Sequence, residues 1–361
     1  MTAVIEAPAP LSTGTRSSAA SRARYVVGIV VTSTLLIAVL PAVSGVAWGG
    51  LWRTLDSVPM TVVTGLVALW ALGLALHTIT LTAALPGLTA RRAATLSLTG
   101  SAVANVLPVG GAAGIALNVK MGRAWGFGGQ AMSRYTVVTN VWDVLVKVAL
   151  PLLVIPVLLV TGARTHQLAL AAPVAVASLL VLAVGCLALL TPRGATVLGQ
   201  SLDRAGAVVR RRREGAVDRT WERRLTELQS ATAGLVRLRW RRLTLGMVLY
   251  TLALLALLEC CLLATGADVP PLLVLSVFTL ERLLTLAGVT PGGAGLVEVA
   301  LAALLASSGA PGTAVAGIVL YRLLTVALEV PVGGIWLLAW LSCRARASWR
   351  PEGVTACASS T

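Results

Sequence analysis

Runs of about 20 apolar residues recur from one end of this chain to the other, and that recurrence limits the fold more than any other feature. A helix of that length crosses the hydrocarbon core of a bilayer. The runs are long and continuous, which excludes a barrel of short alternating strands. Only 12% of the 361 residues are charged, about half of what a soluble domain carries, so a water-facing fold is excluded as well. The expectation is an all-α polytopic membrane protein.

Full spans are expected at about Tyr25–Ala47, Met60–Leu85, Tyr135–Val160, Leu168–Leu190, Leu243–Ala264 and Thr313–Leu341, six in all, with a short loop carrying Arg53 and Asp56 after the first. Residues 1–24 read as a disordered basic leader, and the apolar run after it is too long for a signal-peptide core. Residues 25–190 form a first membrane half, 191–242 a basic amphipathic segment, 243–342 a second membrane half, and 343–361 a basic tail.

The net charge of +15 would suggest nucleic acid on a soluble protein. Here the cations fall in loops and tails, which is how cytoplasmic loops of membrane proteins are built. No nucleic-acid partner is expected. The leader, the 191–242 segment and the tail then lie in the cytoplasm, with the chain in the cell membrane. The five cysteines and two histidines, His77 and His166, show neither metal-ligand spacing nor a disulfide framework. No cofactor motif appears, a phosphate-binding G-x-x-x-x-G-K-[ST] loop is missing, and no enzyme is expected.

Two segments break the pattern. Ala93–Lys120 lies between basic stretches that both belong inside, and Pro108-Val109-Gly110-Gly111 interrupts it. Its arms are too short to cross. A re-entrant helical hairpin is expected. Pro270–Ser308 carries Thr290-Pro291-Gly292-Gly293 and is expected to re-enter from the opposite side, although its first arm is long enough to span. NVLPVGGAAGIAL (105–117) is similar to GVTPGGAGLVEVAL (288–301), and each is followed by a basic residue and then an acid: Arg134 and Asp143, Arg322 and Glu329. That order predicts an inverted repeat whose breaks meet near the midplane.

Charge beside a break in an apolar helix calls for a reason. Thr290 is a suitable N-cap and Pro291 suits a first turn, so a helix is expected to start at the break and run toward Leu304. Its free N–H groups and dipole would attract an anion, with Arg282 two turns back adding positive charge. The same glycines also serve close helix packing. The charges Glu281, Arg282, Glu298, Arg322, Asp143, Lys147, Glu259 and Glu329 are candidates because intramembrane charge is costly. Asp143 and Lys147, one turn apart, also suit simple neutralisation.

TPGGAGLVE, preceded by Glu281-Arg282 and followed by Tyr321-Arg322, resembles the second-half signature of the lysylphosphatidylglycerol synthase transmembrane-region family of flippase-like proteins. NVLPVGGAAG resembles that family's first-half motif. The resemblance runs from the first span to the last. It implies movement of aminoacylated phosphatidylglycerol or another phosphate-bearing lipid, without the soluble domain that attaches the amino acid. The chain departs from the family where an acid and an arginine usually follow the first break: Ala112-Ala113 and Asn118 stand there, and Ser133 precedes Arg134.

The expected lipid or anion site is therefore Thr290, Pro291, Gly292, Gly293, Gly295, Glu298, Arg282 and Arg322 in the second half, with Pro108, Gly110, Gly111, Arg134 and Asp143 in the first. The expected function is lipid translocation without ATP. The alternative is a non-transporting accessory protein that binds lipid and docks a membrane enzyme, such as a glycosyltransferase, through 191–242.

Overall fold

In the computed structural model, residues 33–107, 110–160, 176–177, 179–181, 184–185, 191–210, 220–287 and 290–348 are described. Every regular element among the described residues is helical. A π turn at Leu35–Val39 leads into α1 (Leu40–Ser44), and α2 follows at Trp48–Asp56. Arg53 and Asp56, expected in a loop, lie on α2. Trp48, Leu51, Trp52 and Leu55 recur there at helical spacing, and Leu51 is buried.

Helix α3 (Met60–Ala84) has no charged residue. Thr89 caps α4 (Ala90–Val106) by accepting the Arg92 N–H at 3.4 Å. Then come α5 (Gly110–Ala124), α6 (Gly129–Val160) and α7 (Pro192–Arg210). Helix α8 (Thr220–Ala264) runs 45 residues. Its lack of any internal proline lets the polar and apolar parts continue as one helix, so residue 242, expected as a segment boundary, falls inside it. Helix α9 (Pro271–Ala287) precedes a single 3₁₀ turn at Pro291–Gly293 and α10 (Leu296–Ser307). Helix α11 (Gly312–Arg322) continues through a π turn, Leu323–Ala327, into α12 (Glu329–Ser348). The π turn ends where Pro331 lacks the N–H that would close a normal turn on Ala327.

Among the described residues, four helical stretches are long and apolar enough to cross a membrane: Met60–Ala84, Gly129–Val154, Thr232–Ala264 and Gly312–Arg344. Of the other two expected spans, 25–47 lies partly and 168–190 mostly outside the described residues. The chain is a helical membrane protein. Helices α4 and α5, 17 and 15 residues long, pack side by side and are each shorter than a span. A side chain at Gly114 would meet the Gly100 carbonyl at 2.6 Å, so only glycine allows α5 to lie this close to α4.

Helix α8 lies along α3, and Thr80 Oγ1 donates to the Leu243 carbonyl across that contact at 3.2 Å. Helix α12 lies along α4, where Trp336 Nε1 donates to Thr95 Oγ1 at 3.0 Å. Helix α9 packs on α6 and on α10. The turn Pro291–Gly293 touches α4, with Gly292 beside Asn105 near the end of that helix.

Candidate functional site

The second break is built by three glycines. Gly292, Gly293 and Gly295 have φ of 58°, 71° and 83°, a left-handed conformation that side-chain-bearing residues rarely adopt. Pro291 followed by such residues cannot continue a helix. Helix α10 therefore begins at Leu296, with Gly295 as its N-cap and not Thr290. At the start of that helix Glu298 Oε2 accepts the Gly295 N–H at 2.6 Å. Thr290 makes no cap bond; it is buried, and its hydroxyl oxygen has no hydrogen-bond partner.

Glu298 also anchors an ionic cluster. Its Oε1 receives Arg322 Nε at 2.6 Å. Arg322 sends one terminal nitrogen to Glu281 Oε1 at 3.3 Å and the other to the Gly292 carbonyl at 2.6 Å. Arg282 binds the same Glu281 through Nε and one terminal nitrogen, and that nitrogen also donates to Tyr321 Oη at 3.1 Å. Two carboxylates and two guanidiniums cancel. All four are largely buried, and Glu281 is fully so. Such a group is strongly destabilised if one member is removed, because a buried charge is left unmatched.

A polar cavity opens beside this cluster. One part, of about 510 Å³, is lined by Arg282, Arg322, Thr290, Gly292, Gly293, Gly110, Gly111, Asn105 and Glu329 among others. A second part, of about 590 Å³, adjoins it and is lined by His77, Asn118, Asn140 and Asp143. Ser101, Lys147, Tyr250, Arg282 and Thr285 border both parts. Asp143 Oδ2 holds Lys147 Nζ at 2.8 Å. Asn105 Nδ2 donates to Glu329 Oε2 at 3.4 Å. His77 Nδ1 lies 3.1 Å from Ser97 Oγ, and its ring stacks on Tyr250 at 4.5 Å.

Of the residues expected at the site, Arg282, Arg322, Thr290, Gly292, Gly293, Gly110, Gly111 and Asp143 line this cavity. Pro291, Gly295, Glu298 and Arg134 do not line it. Glu298 supports it from behind through Arg322. Arg134 sits near the start of α6 with its buried Nε unpartnered. Pro108 lies outside the described residues. Asn118, one of the departures from the family pattern, faces the cavity with an unpartnered oxygen.

Sequence reasoning missed His77, Ser101, Tyr250 and Thr285, and left Lys147 and Glu329 out of the site. A signal was present. Ser97, Ser101 and Asn105 recur every four residues on α4, and Thr136, Thr139, Asn140, Asp143 and Lys147 follow helical spacing on α6. A polar stripe at that period on an apolar helix marks the face turned from lipid. A larger groove of about 700 Å³ between α6 and α8 is apolar, with Arg237 its one charged residue.

A family model described as lysylphosphatidylglycerol synthase TM region matches residues 25–333. No curated protein matches the sequence.

Proposed function

The chain belongs to the lysylphosphatidylglycerol synthase TM region family, membrane proteins linked to lipid handling, and from that premise we propose that it moves a phosphate-bearing lipid across the bilayer. The observation that carries the reading is the polar cavity among apolar helices, placed where the second break meets the end of α4. A headgroup passes through it while the acyl chains stay in lipid. In this reading, α4–α5 and the α9–α10 segment enter the membrane from opposite sides as an inverted repeat. Both termini face the cytoplasm across the cell membrane. The step is a movement, without covalent chemistry or ATP.

The phosphate is held by Arg282 and Lys147, which border both parts of the cavity. Arg282 is 13% exposed, and no hydrogen bond from its second terminal nitrogen is found among the described residues. Arg322 is 6% exposed and spends all three nitrogens on Glu298, Glu281 and Gly292. Its role is to fix the break.

The test is lipid movement in liposomes carrying the purified protein, with fluorescent anionic, zwitterionic and isoprenoid-phosphate lipids. Selective movement that drops about 10- to 100-fold in Lys147→Ala is expected, the worth of one hydrogen bond to a charged group. No movement of any lipid by the folded protein would overturn the reading and favour an accessory role.

A further inference from the structure

Two carboxylates line the cavity. Asp143 is matched by Lys147 at 2.8 Å. Glu329 is different: no ion-pair partner contacts it among the described residues, its hydrogen bond comes from the neutral amide of Asn105, and the Ser101 hydroxyl lines the same cavity. Both buried carboxylates behind the cavity wall, Glu281 and Glu298, are bound to guanidiniums. The cluster and the Asp143–Lys147 pair are each neutral, so Glu329 is the charge left over.

We propose that Glu329 is the proton-binding site of this cavity, protonated from water on one side and deprotonated on the other as a headgroup passes. The coupling rests on the translocation reading above; the proton site does not. Protonation forms one O–H bond on the carboxylate and leaves the lining uncharged overall. The surroundings admit both states. A serine hydroxyl donates or accepts, and an asparagine amide turns to offer oxygen in place of N–H₂. When Glu329 is ionised, Asn105 donates to it through Nδ2. When Glu329 carries the proton on Oε2, the oxygen that Asn105 faces, that O–H donates to Asn105 Oδ1 once the amide has turned.

That exchange reaches the second break. Asn105 Oδ1 lies 3.0 Å from where a side chain on Gly292 would begin, and the Gly292 carbonyl holds Arg322 at 2.6 Å. Turning the Asn105 amide therefore changes the contact between the two broken segments. The titratable and charged groups that border the cavity with Glu329 are Arg282 on α9, Arg322 on α11, Lys147 on α6 and Tyr250 on α8. Arg322 is held by carboxylates, Arg282 by Glu281 and Lys147 by Asp143. The π turn between Arg322 and Glu329 gives this stretch a helix geometry often found at functional positions.

Infrared difference spectra of the full-length protein against pH read the site directly. The expected result is a carboxylic-acid C=O band that titrates with a slope of about one proton, absent in Glu329→Gln and displaced along the pH axis in Asn105→Ala. In liposomes, wild-type lipid movement should respond to an imposed pH gradient, and Glu329→Gln movement should not. A band that is missing from the wild type, or unchanged in folded Glu329→Gln, overturns the proton site. Lipid movement indifferent to the pH gradient, or following a sodium gradient instead, overturns the coupling. Absence of any lipid movement would sink translocation alone, since the band still decides the proton site.

Discussion

Arg322 Nε and Glu298 Oε1 lie 2.6 Å apart, and the second oxygen of that carboxylate caps helix α10 through the Gly295 N–H at the same distance. One side chain thus joins two helices and finishes the start of one of them.

Glu298→Ala should remove the cap and strand Arg322 together. Breaking a buried pair costs about 3–5 kcal/mol. Thermal unfolding in detergent should show a large loss in Glu298→Ala, with Glu298→Gln between it and the wild type. Unchanged unfolding in both would contradict the geometry.

Gly292 and Gly111 both line the cavity, yet they should respond oppositely to alanine. Gly292 has φ of 58°, and a side chain there would meet Asn105 and Val326 at 3.0 Å. Left-handed conformation costs an ordinary residue about 1–2 kcal/mol. Gly111 sits on helix α5 with open space around it, where alanine is favoured by up to about 1 kcal/mol. Unfolding midpoints should fall for Gly292→Ala and hold or rise for Gly111→Ala.

Cysteines placed at Ser101 or Thr285, in a cysteine-free background, should react with small water-soluble thiol reagents through the cavity. A cysteine at Leu257, fully buried in the apolar core, should stay inert. Rates at Ser101 and Thr285 as slow as that at Leu257 would mean that the cavity excludes water.

Asp203 closes the polar end of α8. Its Oδ1 accepts the Trp221 N–H and its Oδ2 the Glu222 N–H, both at 3.1 Å. Asp203→Ala should cost about 0.5–2 kcal/mol, as loss of a cap does, and it should act locally. Hydrogen exchange should quicken around residues 220–230 and leave the α3–α8 contact unchanged.

Long apolar runs made the spans of α3, α6 and the later part of α8 readable, because burial in lipid requires an apolar composition that any reader of the sequence can see. Proline and glycine at 290–293 made the second interruption readable, because Pro291 lacks a backbone N–H and Gly292 and Gly293 take left-handed conformations. The start of α10 was misplaced, since nothing in TPGGAG says that Glu298 turns back to cap Gly295 instead of facing a ligand. Pairing across the fold was equally hidden. Arg322 and Glu281 stand 41 positions apart, and only packing makes them partners. Asn105 and Glu329 stand 224 apart.

Helix α8 passes its neighbour α3 near Gly246, where a side chain would strike Thr80 at 2.6 Å. Tyr250 lies about 6 Å from that contact along the helix, and Thr220 roughly 39 Å away at the arginine-rich end. One unbroken rod therefore ties the ring that stacks on His77 to the polar end that Asp203 closes.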